Sequence, residues 1–487
     1  MHPKDVDTSE LSTLDFNMYT TSLFKLPAGG VGFAFGGQFR NEQLTQIIDQ
    51  LNIDGDVIGS SPGASTAAGR KDYAFYAETT IPVTSPTWNA PGFYSFEISA
   101  GGRYENFRNN NTHVAVPKVG IRWQPFDETF TLRGTWGQGF REPSLIELYA
   151  SPTSALTGTT DPLPESLGGP PTPVGDPSRF ESETPIVITS SPVLLPENSA
   201  SFNVGFVWTP KFVNGLTFEV DGWQISRTGT VVGSTPNSVL QNELNGTLQP
   251  GQRVERDAGG NITRIFTPFV NSGFLRTNGV DMGIQYVLPT KFGTFTSLTN
   301  VTYVNSFEFA GDPDSPIAQI NGQTTDIFSS NDGYLRWKGV SRLDWTLGGW
   351  DMIWTARYFD GFKEFKPNAL NHYVSQAWYF DMQVSYDFTY VAPVENQPVA
   401  GYSKDAQDVT TGKDGKATEA APAQTASYGL PIWKRVLNGT QVTVGVDDII
   451  NAPPPQSYGF GGNSTNYPGF LYDATGRFVY FRITKKF

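Results

Sequence analysis

The chain has 487 residues, an apolar fraction of 38%, an aromatic fraction of 14% and a net charge of −13. Disordered chains are poor in aromatics, so disorder is excluded, and the absence of a basic footprint argues against nucleic acid as a partner. With no cysteine there is no disulfide frame, thiol nucleophile or thiolate metal site.

No run approaches the roughly 18 uninterrupted apolar residues of a spanning helix. Low hydrophobicity with abundant Phe, Tyr, Trp, Gly and Pro suits a shell that is apolar on one side and carries aromatic girdles. The opening residues M-H-P-K-D-V-D-T-S-E lack a basic stretch followed by an apolar one. An exported barrel requires such a signal, so the chain is read as lacking its true beginning, with 1–18 an N-terminal remnant or loop and 19–487 a β-barrel.

Period-2 alternation bounded by turn residues predicts about fifteen strands. They are 19–26, 31–42, 72–83, 93–107, 113–124, 129–140, 197–208, 214–227, 274–288, 294–309, 336–347, 351–362, 376–388, 439–450 and 477–487. Many are long enough for a tilted membrane crossing. Charge separates by face within them. Val119, Ile121 and Trp123 oppose Arg122, and Phe130, Leu132 and Trp136 oppose Arg133. Val280, Met282, Ile284 and Tyr286 oppose Asp281, and Leu343, Trp345 and Leu347 oppose Arg342 and Asp344. Phe380, Met382, Val384 and Tyr386 oppose Asp381, Gln383 and Asp387. A Lys or Arg facing lipid near the midplane costs about 2–4 kcal/mol, so this segregation is what a transmembrane wall requires. Only 294–309 has apolar residues on both parities.

The connections alternate between long and tight. Long ones are 43–71, 141–196, 228–273, 310–335, 363–375 and 451–476, and tight ones are 27–30, 84–92, 125–128, 209–213, 289–293 and 348–350. This is the pattern of a barrel with long extracellular loops and short periplasmic turns. Segment 108–112 is short on the long side. Segment 389–438, with K-D-G-K-A-T-E-A-A-P-A-Q-T, is a flexible periplasmic insertion on the short side. Strand parity also implies at least one further strand before the first.

The ending, R-F-V-Y-F-R-I-T-K-K-F over 477–487, places Val479, Phe481, Ile483 and Phe487 on one face. It resembles the assembly signature of bacterial outer-membrane barrels, apart from Lys485. Thr131 to Tyr149, T-L-R-G-T-W-G-Q-G-F-R-E-P-S-L-I-E-L-Y, resembles the mid-barrel signature of TonB-dependent outer-membrane receptors. Four further stretches resemble that family in the same order: L-P-A-G-G-V-G-F-A-F-G-G-Q-F-R-N-E (26–42), L-P-E-N-S-A-S-F-N-V-G-F (195–206), N-S-G-F-L-R-T-N-G-V-D-M-G-I-Q-Y (271–286) and V-T-V-G-V-D-D-I-I-N-A-P-P-P (442–455). The family more often has Asn at one of Asp447 or Asp448.

The resemblance implies a large antiparallel barrel plugged by an N-terminal domain, here missing with the signal peptide. It implies energised uptake of a siderophore, cobalamin, haem or oligosaccharide. The implied partners are outer-membrane lipid, the barrel assembly machinery, an inner-membrane energising complex reached through the missing N-terminal part, and a small-molecule or glycan ligand. The alternatives are a passive porin without a plug and a soluble repetitive β-protein, although no blade-length repeat is visible.

The G-F-R-E-P-S block is read first as a structural rim element, since Pro143 and Gly139 shape the exit from a strand. His2, His113 and His372 are too scattered for a metal site. Asp447 and Asp448 are expected to face opposite ways along a strand, so they form no general acid/base couple. Trp337, Trp345, Trp350 and Trp354 are expected as interfacial anchors. No enzyme constellation or cofactor motif is present. Val479, Phe481, Ile483 and Phe487 are assigned to assembly, and ligand recognition to the long loops, chiefly 141–196 and 228–273.

Overall fold

A computed structural model describes residues 3–58, 63–311, 317–325, 332–364, 372–390, 431–457, 467–469 and 471–486. Fifteen strands follow one another as an uninterrupted antiparallel run: β1 Val6–Thr20, β2 Gly32–Ile47, β3 Thr66–Thr84, β4 Ser95–Phe107, β5 Thr112–Gln124, β6 Phe130–Arg141, β7 Glu197–Trp208, β8 Leu216–Gly233, β9 Ile262–Thr290, β10 Gly293–Ala310, β11 Trp337–Leu347, β12 Trp350–Phe359, β13 Ala377–Phe388, β14 Thr440–Asp447 and β15 Phe478–Lys485. They make the wall of a large antiparallel β-barrel. Among the described residues β1 pairs only with β2 and β15 only with β14. Both run from the long-loop rim to the short-turn rim.

The first strand corrects the sequence expectation. Most of 1–18 belongs to the wall: Val6–Thr20 is the first described strand, paired along its length with β2. The expected strand 19–26 spans the end of β1 and a small turn in which Lys25–Leu26 pairs with Gly29–Gly30.

Register puts matching chemistry side by side. Leu343, Trp354, Met382, Val446 and Val479 lie opposite one another across β11 to β15. On the other face, Arg342, Thr355 and Asp381 share a row. Arg122 stands beside Arg133, and Arg482 beside Thr443, again away from the apolar rows. The parity of β10 is settled by its neighbours: Phe295, Val301 and Tyr303 pair with Trp345, Gly339 and Trp337 on the apolar face. Leu298 stands opposite Arg342 on the charged face.

Aromatic pairs gather towards both rims of the apolar face. Trp208 stacks on Phe218 at 5.8 Å and Trp350 meets Tyr386 at 4.8 Å near the short turns. Tyr303 meets Trp337 at 4.5 Å and Tyr358 meets Trp378 at 4.7 Å near the long loops. Amphipathic rings favour such interfacial heights. Trp345 adds a polar tether, its indole N–H donating to the Phe292 carbonyl at 2.8 Å. Trp354 departs from the expected anchor role: it sits mid-strand, between Leu343 and Met382.

Strands on the long-loop side overrun a membrane crossing. β9 has 29 residues, against about 9–11 for a tilted span. Its leading part pairs in parallel with strand Phe180–Thr189 and antiparallel with strand Arg253–Arg256, well beyond the wall. Phe180–Thr189 also pairs with strand Thr153–Thr160. Helix α1, Pro236–Asn245, packs here; Thr235 caps its start and Gly246, at φ 69°, ends it in the left-handed conformation. Val239 and Leu240 join Ile186 and Ile265 in a buried cluster. Loops 141–196 and 228–273 thus share a small core of their own. No described helix is long and apolar enough to cross a membrane.

Candidate functional site

The charged face becomes most elaborate where the strands approach the long loops. Across β2 to β4, Arg40 bonds Asp72 at 2.8 Å and Glu105 at 3.2 Å, and Arg103 holds Glu105 at 2.7 Å. Arg70 pairs with Glu42 at 2.6 Å and donates to the Pro143 carbonyl at 2.7 Å. Glu142, just beyond β6, accepts from Asn110 at 3.3 Å and lies 3.9 Å from Arg70. Its second oxygen is buried without a partner among the described residues. Burial pushes its carboxyl up to about 7, reinforced by Asp72 and Glu105 and opposed by Arg70 and Asn110.

A second cluster ties the G-F-R-E-P-S block to its neighbours. Glu197, 2% exposed, accepts from Arg141 at 2.6 Å, from Arg227 and from the Val231 backbone N–H at 2.8 Å. Arg141 also grips Glu147 at 3.0 Å. Glu147 in turn completes a capping box with Ser144 on the short helix Leu145–Tyr149. The block therefore turns the chain from β6 into loop 141–196. In the loop body, Arg256 holds Asp161 at 2.5 Å and Glu243 at 2.6 Å, while Arg179 donates to the carbonyls of Asp161, Leu163, Pro170 and Thr172.

Two glycines let long side chains lie flat along this face. Gly205 stands between Arg133 and Asp221 in register, and their ion pair passes over it. Gly445 stands between Gln383 and Tyr480, whose hydroxyl donates to Gln383 at 2.9 Å. A β-carbon at Gly205 would overlap the Asp221 carboxylate, and one at Gly445 the Tyr480 ring.

A cavity of about 640 Å³ lies between β12 to β15 and residues 471–476. Arg357 and Asp381 pair across it through two bonds of 2.9 Å. Asp447, Asp448 and Asp473 line it with the rings of Phe359, Tyr379 and Tyr472. This corrects the expectation that Asp447 and Asp448 point apart. The strand stops at Asp447, Asp448 turns left-handed at φ 49°, and both line one cavity. Burial pushes the Tyr472 hydroxyl up, with Tyr379 and Asp360 adding to the effect.

Of the residues assigned to assembly, Val479, Phe481 and Ile483 lie exposed on the apolar face opposite Val446, Val444 and Val442. Phe487 lies outside the described residues, as does most of segment 389–438. The ionic hubs at Arg70, Glu197 and Arg256 escaped sequence reasoning. Only the E-N-S lead-in to β7 drew attention to Glu197, and only as a family resemblance.

The chain matches the family model described as TonB dependent receptor-like, beta-barrel, over residues 4–402. No curated protein matches it. Among solved structures it is similar to the siderophore receptor PirA from Acinetobacter baumannii, at 13% identity and TM-score 0.58, covering 98% of this chain and 54% of that one. It is similar to a mutant of the ferric enterobactin receptor PfeA from Pseudomonas aeruginosa at 12% identity and TM-score 0.60, covering 98% and 54%. The FrpB iron transporter from Neisseria meningitidis gives 12% identity and TM-score 0.52, covering 99% and 56%. At these identities the likeness is one of fold, and the chain spans about half the length of the solved structures it matches.

Proposed function

We propose, since the chain belongs to the TonB-dependent receptor β-barrel family, that it walls a bacterial outer-membrane receptor for energised uptake of a scarce nutrient. The observation that carries this reading is the one-sided chemistry of the fifteen-strand run. Apolar rows such as Leu343–Trp354–Met382–Val446–Val479 back onto rows bearing Arg342, Asp381 and Tyr480. A wall between lipid and an aqueous bore needs that division.

In this reading the long-loop rim is extracellular, and the body built from loops 141–196 and 228–273 meets the cargo first. Segment 389–438 is a periplasmic insertion. Val479, Phe481, Ile483 and Phe487 engage the assembly machinery, and an inner-membrane complex supplies the energy. The cargo is a siderophore, cobalamin, haem or oligosaccharide. Siderophores come first, because the solved structures of this fold include receptors for siderophores and for ferric enterobactin.

The test is uptake of radiolabelled ferric siderophores by cells making the full-length gene product, with and without a protonophore. A receptor loses accumulation when the proton gradient collapses. Uptake that ignores the protonophore overturns the proposal in favour of a passive porin.

A further inference from the structure

The cavity between β12 to β15 gathers buried groups that lack partners among the described residues. Its one cation among the described residues, Arg357, is engaged by Asp381 and lies 5.3 Å over the Tyr379 ring. Asp447 and Asp473 add negative charge at its edge, and Asp473 accepts from the Thr475 backbone at 2.9 Å. Asp448 is 4% exposed, and neither carboxylate oxygen has a partner among the described residues. Its backbone N–H donates to Asp381 at 2.9 Å, which fixes the residue in place. The hydroxyls of Tyr379 and Tyr472 are likewise buried and unpartnered among the described residues.

A buried carboxylate is costly unless something pairs with it. The surroundings say what kind of group that is. Phe359, Tyr379 and Tyr472 stand in mutual contact, with ring centroids 5.6 to 6.5 Å apart. Ring faces beside a carboxylate favour organic cations through the ring quadrupole. A metal ion fits less well, since no three described His, Cys, Asp or Glu side chains are grouped to hold one.

We infer that this cavity is a subsite for an organic cation, an alkylammonium or guanidinium group of a small ligand, with Asp448 as its counter-ion and the three rings as its walls. The inference rests on the proposed function for the source of that ligand. Tyr379 and Tyr472 then supply hydrogen bonds from their buried hydroxyls, and burial keeps the Tyr472 phenol protonated as a donor.

The experiment titrates the detergent-solubilised full chain with agmatine, n-butylguanidinium and n-butylammonium, followed by saturation-transfer NMR. Uncharged n-butylurea serves as the contrasting probe, and Ca²⁺, which carries no proton signal, is added as a competitor, read by displacement of the bound cation. The cations are expected to bind at least about tenfold more tightly than n-butylurea, and Asp448→Asn to lose about tenfold in affinity for them. Asn tolerates the left-handed backbone at this position, and heat-modifiable mobility on gels checks that the variant folds. Tyr472→Phe gives an independent reading, with a loss of about threefold expected. Equal binding of n-butylurea, undiminished binding by Asp448→Asn, or preference for Ca²⁺ would overturn the inference. So would silence from every probe, which assigns the cavity to ordered water. Binding in micelles requires no energised transport, so failure of the uptake test and failure of this one are separable.

Discussion

Val444→Arg tests the orientation of the wall. Val444 lies mid-strand in β14 on the apolar face, 49% exposed, with Val384 on one side and Phe481 on the other. It is four residues from Thr440, where β14 leaves the short-turn rim. At a rise of about 3.3 Å per residue and a tilt of about 45°, that is about 9 Å along the membrane normal. The apolar band is about 25 Å tall, so position 444 falls within about 4 Å of its middle. Arginine there is expected to cost about 2–4 kcal/mol, with snorkelling towards the rim setting the lower end. Gln441→Arg is the matched control. It lies on the same strand but on the charged face, between Asp387 and Thr484, where added positive charge is expected to change stability by less than about 0.5 kcal/mol. The assay is urea titration of the chain folded into phospholipid vesicles, with the folded fraction read from heat-modifiable mobility. Equal midpoints for the two variants, or a more stable Val444→Arg, would refute the assignment of the apolar face to lipid.

Three further outcomes are expected. Burial lifts the Glu142 carboxyl from its ordinary 4.5 to about 7 in the folded chain, so the folded state holds the extra proton between those values. The contribution of this one group to stability is therefore greatest below 4.5 and falls by about 3 kcal/mol as pH rises to 7; Glu142→Gln should remove that component from the urea-midpoint profile, and an unchanged slope counts against the buried carboxyl. Gly205→Ala must displace the Arg133–Asp221 pair, costing about 1–3 kcal/mol by overcrowding, whereas Gly139→Ala, near only the flexible Ser199 hydroxyl, should cost less. Deleting Phe487 should lower the amount of folded protein recovered in outer-membrane fractions, and normal levels would remove Phe487 from the assembly signal.

What could be read in the sequence was the part of each strand that lies between two different solvents. β5, β6, β11 and β13 alternate sharply because each successive side chain meets lipid or water. β1 was missed because its first half, V-D-T-S-E-L-S-T, is polar on both parities, and apolar alternation begins only at Leu14. Strand ends beyond the membrane escaped for the same reason: the leading part of β9 packs in a loop body and needs no lipid-facing side. The ion pairs were hidden by distance along the chain, since Glu197 draws Arg141 and Arg227 from 56 and 30 residues away. Asp448 was misjudged because parity holds only while the strand continues, and one left-handed residue is enough to cancel it.

The same geometry lets long polar side chains lie flat along the charged face of the wall. Tyr480 crosses Gly445 to reach Gln383, and Arg133 crosses Gly205 to reach Asp221. In each case a three-strand row carries a large group, a glycine and a partner, so the large group lies along the sheet. With a side chain in the middle position, the long residue would have to rise away from the wall and leave its partner unbonded. The glycines therefore act on the charged face as the aromatic pairs act on the apolar one, fixing how far side chains extend. Flattened ion pairs satisfy one another at the surface of the wall, whereas both carboxylate oxygens of Asp448 stay unpaired among the described residues.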